Sequence, residues 1–428
     1  MKVLLLGSGG RESALAEALA ASRSAPEVIA APGNPGIAKF AATEPAPVLD
    51  PSSVVDLTTR VRPDLVIVGP EAPLVAGAGD ALRARGVAVF GPDAGAARIE
   101  GSKTYAKELM ERAGVPVTRW GSFTSSEEAA AFADELGPPY VVKADGLAAG
   151  KGVVVTDQRD EAVAAIRAAV IDARFGEAGR RVVIEEFLDG EEVSIIAFCD
   201  GAHLVACEPA QDFKRVLDGD RGPNTGGMGS YSPVPACPPG DAERIVDEIL
   251  SPMLRATAEA GVPFIGALYA GLALTSQGPR VVEFNARFGD PETQALMPRL
   301  QSDLAETCLA CATGDLAGTK LEWRSQSCVT VVLAAGGYPG PHHSALPIEG
   351  LEDAASIPGV HVFHAGTAIE NGTLVTAGGR VLNVSAVGPT LTAARASAYD
   401  AVAKISWQDM HFRTDIAACA ASIEGSAE

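Results

Sequence analysis

Residues 141–153 read VVKADGLAAGKGV, and no other stretch restricts the possible folds of this chain as much. An apolar run closes on Lys143, a loop rich in glycine and alanine carries a second lysine at Lys151, and a new apolar run begins at Val153. Gly146, Gly150 and Gly152 would let backbone N–H groups approach phosphate oxygens, and the two lysines would offset the charge of a triphosphate. Neither a helix pattern nor a Ser/Thr follows Lys151, so this is not a Walker A loop. Taken alone, the segment suits a solvated hairpin loop equally well.

Two later stretches favour the nucleotide. Residues 184–192 (IEEFLDGEE) form an apolar strand running into a turn, with acidic residues on both sides of Phe187-Leu188. Such a segment suits an adenine wedged against backbone and apolar groups, with a carboxylate left for ribose hydroxyls. Residues 281–285 (VVEFN) put Glu283 and Asn285 at i and i+2, on one face of a strand. A carboxylate and an amide oxygen, completed by water and phosphate, are a usual way of holding Mg²⁺.

The chain has 428 residues, enough for two to four domains, and 47% of them are hydrophobic. Its 54 acidic residues outnumber 34 Lys and Arg, for a formal charge of −20. That balance counts against nucleic-acid or anionic-membrane partners, which need a basic face. Only residues 3–6 are apolar before Gly7-Ser8-Gly9-Gly10, too few for a signal core or a membrane span. The seven Cys are scattered and odd in number, as in a reducing compartment, so a cytoplasmic location is expected. Cys308 and Cys311 lie in an Ala/Leu-rich helical run and read as core residues, and His342-His343, in a Pro/Gly loop, as solvated.

Residues 3–6, 28–31, 65–68 and 87–90 read as buried strands, with helices at 12–21 and 74–85 between them. This alternation predicts a doubly wound parallel sheet over residues 1–101. The first turn lacks the last glycine of G-x-G-x-x-G, having Glu12 there, and suits a phosphate seat better than a dinucleotide. Helix and strand patterns over 102–190 describe a small α+β lid (about 120–190) inside a larger body (102–325). Residues 208–240 read as one long functional loop. From 326 onward, short β runs and a helix at 392–404 describe a C-terminal α+β domain.

The order of lysine-bearing glycine loop, E-E-F-L hinge and E-F-N strand resembles the ATP-grasp superfamily. More narrowly, the chain resembles the phosphoribosylamine–glycine ligases. The matching stretches include GGRE at 9–12, APGN at 31–34, VGPEAPLV at 68–75, GSK at 101–103, GPNTGGMG at 222–229, RFGDPETQ at 287–294 and AAGGYPG at 334–340. The family commonly has His where Ser13 and Phe213 stand. The resemblance implies an ATP-dependent ligation of glycine to 5-phosphoribosylamine, with Mg²⁺ or Mn²⁺, in purine biosynthesis. It implies ATP contacts at Lys103, Lys143, Gly146, Gly150, Lys151 and Gly152, adenine at Glu185, Glu186, Phe187 and Leu188, ribose at Glu192, and metal at Glu283 and Asn285. It implies substrate contacts at Gly9, Gly10, Arg11, Asn34, Glu71, Asp212, Lys214, Thr225, Gly226, Gly227, Asp290 and Glu292. Arg287 is expected to grip the reacting carboxylate, with Lys143 beside it in catalysis, and a pairing of Arg287 with Asp290 is its structural alternative. The substrate phosphate is expected at the Gly9-Gly10 turn and Asn34. Another ATP-grasp carboxylate–amine ligase is the alternative function, and a monomer or weak dimer the expected assembly.

Overall fold

A computed structural model describes residues 1–148 and 152–424. Gly150 and Lys151 therefore lie outside the described residues.

The N-terminal strands Lys2–Gly7, Glu27–Pro32, Ala42–Thr43, Leu65–Val68 and Val89–Phe90 form the expected parallel sheet, with Lys2–Gly7 at its centre. Their near-continuous apolar runs suit a sheet covered on both faces, and Val3 to Leu6 are fully buried. The single helix expected over 74–85 is two short ones, Glu71–Val75 and Ala78–Arg83, because Gly77 takes φ +93° between them. Helix Pro51–Val61 was not foreseen, although Asp50 caps it by accepting from Ser52 and Ser53 N–H.

The lid is a four-stranded antiparallel sheet with Val182–Glu185 and Tyr140–Ala144 in its middle, backed by helices Ser126–Leu136 and Arg159–Val170. The body is a second antiparallel sheet in which Glu191–Asp200, Ile265–Thr275 and Gly278–Asn285 run side by side. The ten-residue strand Glu191–Asp200 was missed, its charged start having been read as a turn.

Residues 208–240 are not one loop. They contain the hairpin Arg215–Leu217 and Arg221–Asn224, and the strands Gln211–Asp212 and Gly229–Ser232. The last two join the C-terminal sheet, Gly229–Ser232 pairing with Ser327–Ala334. Body and C-terminal unit thus share a sheet. Among the described residues, no helix is long and apolar enough to cross a membrane.

Candidate active site

A continuous cleft runs between lid, body, N-terminal sheet and C-terminal sheet. Two cavities of about 460 and 510 Å³ make it up, and they share Lys143, Asp212, Lys214, Thr225 and Glu283.

Lysines build one end. Ser102 caps helix Lys103–Ala113 by accepting from Tyr105 N–H, and this helix carries Lys103 and Lys107 one turn apart on one face. Lys103 Nζ donates to Gly146 O at 3.3 Å, and Asp145 ties the helix start to the lid through Thr104 N–H at 2.6 Å. Lys143 ends its lid strand buried, ion-paired with Glu185 and donating to Val282 O at 3.1 Å. Lys107, which the sequence did not single out, meets the other oxygen of Glu185 at 2.6 Å. Burial alone would push the Glu185 carboxyl up, but Lys143 and Lys107 hold it down at about 2. Burial lowers both Lys103 and Lys107.

Beyond Lys143, Glu186, Phe187 and Leu188 line an apolar slot with Val141, Val153, Val155 and Ala273. Phe187 is 43% exposed there, a large ring kept partly in solvent at the mouth of a cavity. Glu192 borders the same slot and pairs with Lys214, the main cause of its lowered pKa.

The middle belongs to strand Gly278–Asn285. Glu283 and Asn285 line the cleft, while Phe284 is buried in the body core with Val281. The Glu283 and Asn285 side chains have no hydrogen-bond or ion-pair partner among the described residues, and no three His, Cys, Asp or Glu there could hold a metal together. These two oxygen donors fit a hard cation that takes its remaining ligands from phosphate and water. Opposite them, burial pushes Asp212 up to about 7 against the pull of Lys214 at 2.9 Å. Glu292 accepts from Tyr269 Oη at 2.9 Å and from Ser194 Oγ at 3.2 Å.

Arginines build the other end. Arg287 pairs with Glu100 at 2.8 Å and Glu71 at 3.2 Å, and not with Asp290. Glu100 also accepts from Ala286 N–H at 2.7 Å, just past the Glu283–Asn285 pair. Burial pushes Glu100 up to about 6 despite Arg287, whereas Arg287 and Arg11 outweigh burial at Glu71 and hold it near 2. Burial works against the Arg287 guanidinium, but Glu100 and Glu71 raise its pKa overall. Asp290 faces Arg380 of the C-terminal sheet at 3.3 Å.

The N-terminal turn is different from what its glycines predicted. Glu12 accepts the Gly9 N–H at 2.6 Å and the Arg11 Nε–H at 2.7 Å, so a carboxylate of the chain occupies that position. Gly10 is covered by Asn383 and Gln294. Asn34 spends its whole amide, donating to Ser8 O and His364 O and accepting from Gly36 and Ile37 N–H. None of these three residues lines the cleft, whereas Arg11, Glu71, Thr225, Gly226, Asp290 and Glu292 do. Gly227 lies behind it, its N–H held by Thr225 Oγ1 at 3.0 Å. Ser13 Oγ accepts from His364 N–H at 3.2 Å, and the Phe213 ring lies 5.0 Å from the Arg413 guanidinium.

Comparison with known proteins covers most of the chain. Family models described as phosphoribosylglycinamide synthetase match with their N domain at residues 1–100, their ATP-grasp (A) domain at 101–293 and their C domain at 328–419. A phosphoribosylamine–glycine ligase of Rhizobium meliloti is 51% identical over 97% of this chain and 98% of its own. The chain belongs to the phosphoribosylglycinamide synthetase family. A ligase of the same name from Streptomyces coelicolor is also 51% identical, over 98% of this chain and all of its own. The crystal structure of the Thermotoga maritima phosphoribosylamine–glycine ligase superposes with a TM-score of 0.83 at 35% identity, covering 97% of this chain and all of that one. A Campylobacter jejuni biotin carboxylase shares the fold at 15% identity, with a TM-score of 0.73 over 96% of this chain and 92% of its own. Lys103, Lys143, Glu283 and Asn285, singled out in the sequence, line the cleft, and so do Lys107, Glu100, Tyr269, Tyr338, His342 and Arg380, which the sequence did not assign to it.

Proposed function

We propose that the chain joins glycine to 5-phosphoribosylamine at the cost of ATP, giving phosphoribosylglycinamide, ADP and phosphate. The observation that carries this is one cleft in which a lysine end, a Glu283–Asn285 strand and an arginine end follow one another. Lys103 and Lys143 receive the phosphates, the 185–188 segment the adenine, and Glu192 the ribose.

A carboxylate is a poor electrophile. Transfer of the γ-phosphoryl group to the glycine carboxylate gives glycyl phosphate and ADP; the amine then attacks the carbonyl, phosphate leaves, and the nitrogen loses a proton. No protein nucleophile is needed, so alignment and charge neutralisation do the work. Arg287, pinned between Glu71 and Glu100, offers its fork to the carboxylate. Asp212 and Glu292 present carboxyl groups to the glycine ammonium. Glu283 and Asn285 would hold Mg²⁺ or Mn²⁺, which supplies charge stabilisation at the transferring phosphoryl group.

A monomer or weak dimer is the expected assembly, and sedimentation tests it. The reading also keeps the protein in the cytoplasm, beside its small-molecule substrates. ADP release is the decisive assay, with Mg²⁺ and with glycine and freshly made phosphoribosylamine added singly and together. Release that needs both substrates is expected, and release indifferent to either one would overturn the assignment.

A further inference from the structure

The AAGGYPG stretch at 334–340 also reaches the cleft. Strand Ser327–Ala334 pairs antiparallel with Arg380–Gly388, with Ala334 opposite Arg380. Their adjoining ends bring Tyr338, His342, Gly379 and Arg380 into the cleft wall along with Thr225, Gly226 and Asp290. Tyr338 Oη accepts the Gly226 N–H at 3.0 Å. Arg380 Nη1 donates to Gly226 O at 2.6 Å and Asp290 O at 2.7 Å, and Nη2 lies 3.3 Å from the Asp290 carboxylate.

A guanidinium has five N–H donors. The Nε–H and one Nη2 N–H of Arg380 have no partner among the described residues. His342 Nδ1 lies 3.0 Å from Gly340 O and so carries the proton, leaving Nε2 as its second ring nitrogen. A side chain at Gly379 would strike the Tyr338 ring, so the wall between Tyr338 and Arg380 stays open only to glycine.

The amine substrate brings a phosphomonoester that needs donors apart from those of the triphosphate. The N-terminal turn cannot supply them, since Glu12 caps Gly9, Gly10 is covered and the Asn34 amide is spent. We propose that the C-terminal wall, with Arg380 as its N–H donor and His342 beside it, seats the 5-phosphate of the amine substrate. This rests on the ligase reading above. Arg380 is fixed by two main-chain carbonyls, so its spare N–H groups are oriented before the substrate arrives.

The test compares phosphoribosylamine with ribosylamine, which lacks the phosphate, and uses ribose 5-phosphate as a binding probe in calorimetry. His342→Ala, at an exposed position, should raise the KM for phosphoribosylamine about tenfold, and Arg380→Lys by about ten- to a hundredfold. The KM values for ATP, glycine and ribosylamine should stay within about twofold of wild type, and ribose 5-phosphate should weaken in step with phosphoribosylamine. An active wild type with both variants unchanged toward phosphoribosylamine, or equally impaired toward both amines, would overturn the seat and leave the ligase reading standing. A wild type that joins neither amine to glycine would remove that reading and the seat with it.

Discussion

The two ends of the cleft hold their positive charge differently. At the lysine end, two buried lysines share one carboxylate, Glu185, while Lys103 rests on a carbonyl. At the far end, Arg287 lies between Glu71 and Glu100, Arg11 between Glu12 and the Phe288 carbonyl, and Arg380 between two carbonyls and Asp290. An ammonium on a four-carbon stem can change partners when a phosphate arrives, whereas a planar fork held by several acceptors is already aimed. The lysine end suits a cosubstrate that is spent and replaced at every turnover. The arginine end suits the pair of substrates that must meet in one geometry.

Arg287→Met should produce the largest effect and is the most direct way to break this contrast. It leaves Glu71 and Glu100 facing each other without their shared cation, a situation that costs about 3–5 kcal/mol when one partner of a buried pair is removed. A clear drop in the denaturation midpoint and near-complete loss of glycine-dependent ADP release are expected. Lys107→Met should cost much less stability, because Glu185 keeps Lys143. Equal losses in the two variants would mean that both ends are equally rigid.

Glu283→Gln comes next and tests the strand between the ends. It keeps the size and removes the charge, so the fold should survive while kcat falls about 10²–10³-fold, the loss expected from removing one strong transition-state contact. Asn285→Ala should be milder. Turnover near wild type at limiting Mg²⁺ would move the metal away from this strand.

How much of this could be read from the sequence depended on how local each feature is. Lys143, the 185–188 hinge and Glu283–Asn285 lie within single strands and their turns, where spacing alone shows which residues share a face. Glu100, Lys107 and Arg380 look ordinary in their own helices or strands, and their ion-pair partners at the cleft lie 78 or more residues away (Lys107 to Glu185). The Gly9-Gly10 turn misled for a related reason. Its glycines were read as room for a ligand, but the structure shows Glu12 folding back against Gly7 and Gly69, so the chain supplies the anion itself. Strand Glu191–Asp200 escaped because its first two residues are acidic, and a strand start at the rim of a cleft has no need of an apolar pattern.

A smaller effect is expected from Lys107→Met on catalysis. Losing one of two cations on Glu185 should loosen that carboxylate and free Lys143 to pair with it more tightly, so less of Lys143 is available to phosphate. The KM for ATP should rise several-fold, by up to about tenfold, with kcat within about threefold. A change in the KM for glycine but not for ATP would place Lys107 at the wrong end of the cleft.

The smallest effect is a pH dependence that separates the two carboxylates on Arg287. Burial raises Glu100 to about 6 from an ordinary value near 4.5, so the folded chain binds this proton more tightly than the unfolded chain. Between those two values stability therefore falls as pH rises. Glu71 behaves oppositely: held near 2, it contributes stability that is present above about 4.5 and lost only as the pH drops toward 2. From pH 5 to pH 7 the Glu100 contribution alone amounts to roughly 1 kcal/mol against the fold. Glu100→Gln cannot titrate, so its stability relative to wild type should improve by about that amount over the same interval, measured as denaturation free energies at the two pH values. A difference that stayed constant with pH would mean that Arg287 holds both carboxylates fully ionised, and that the arginine end has no proton to give up in this range.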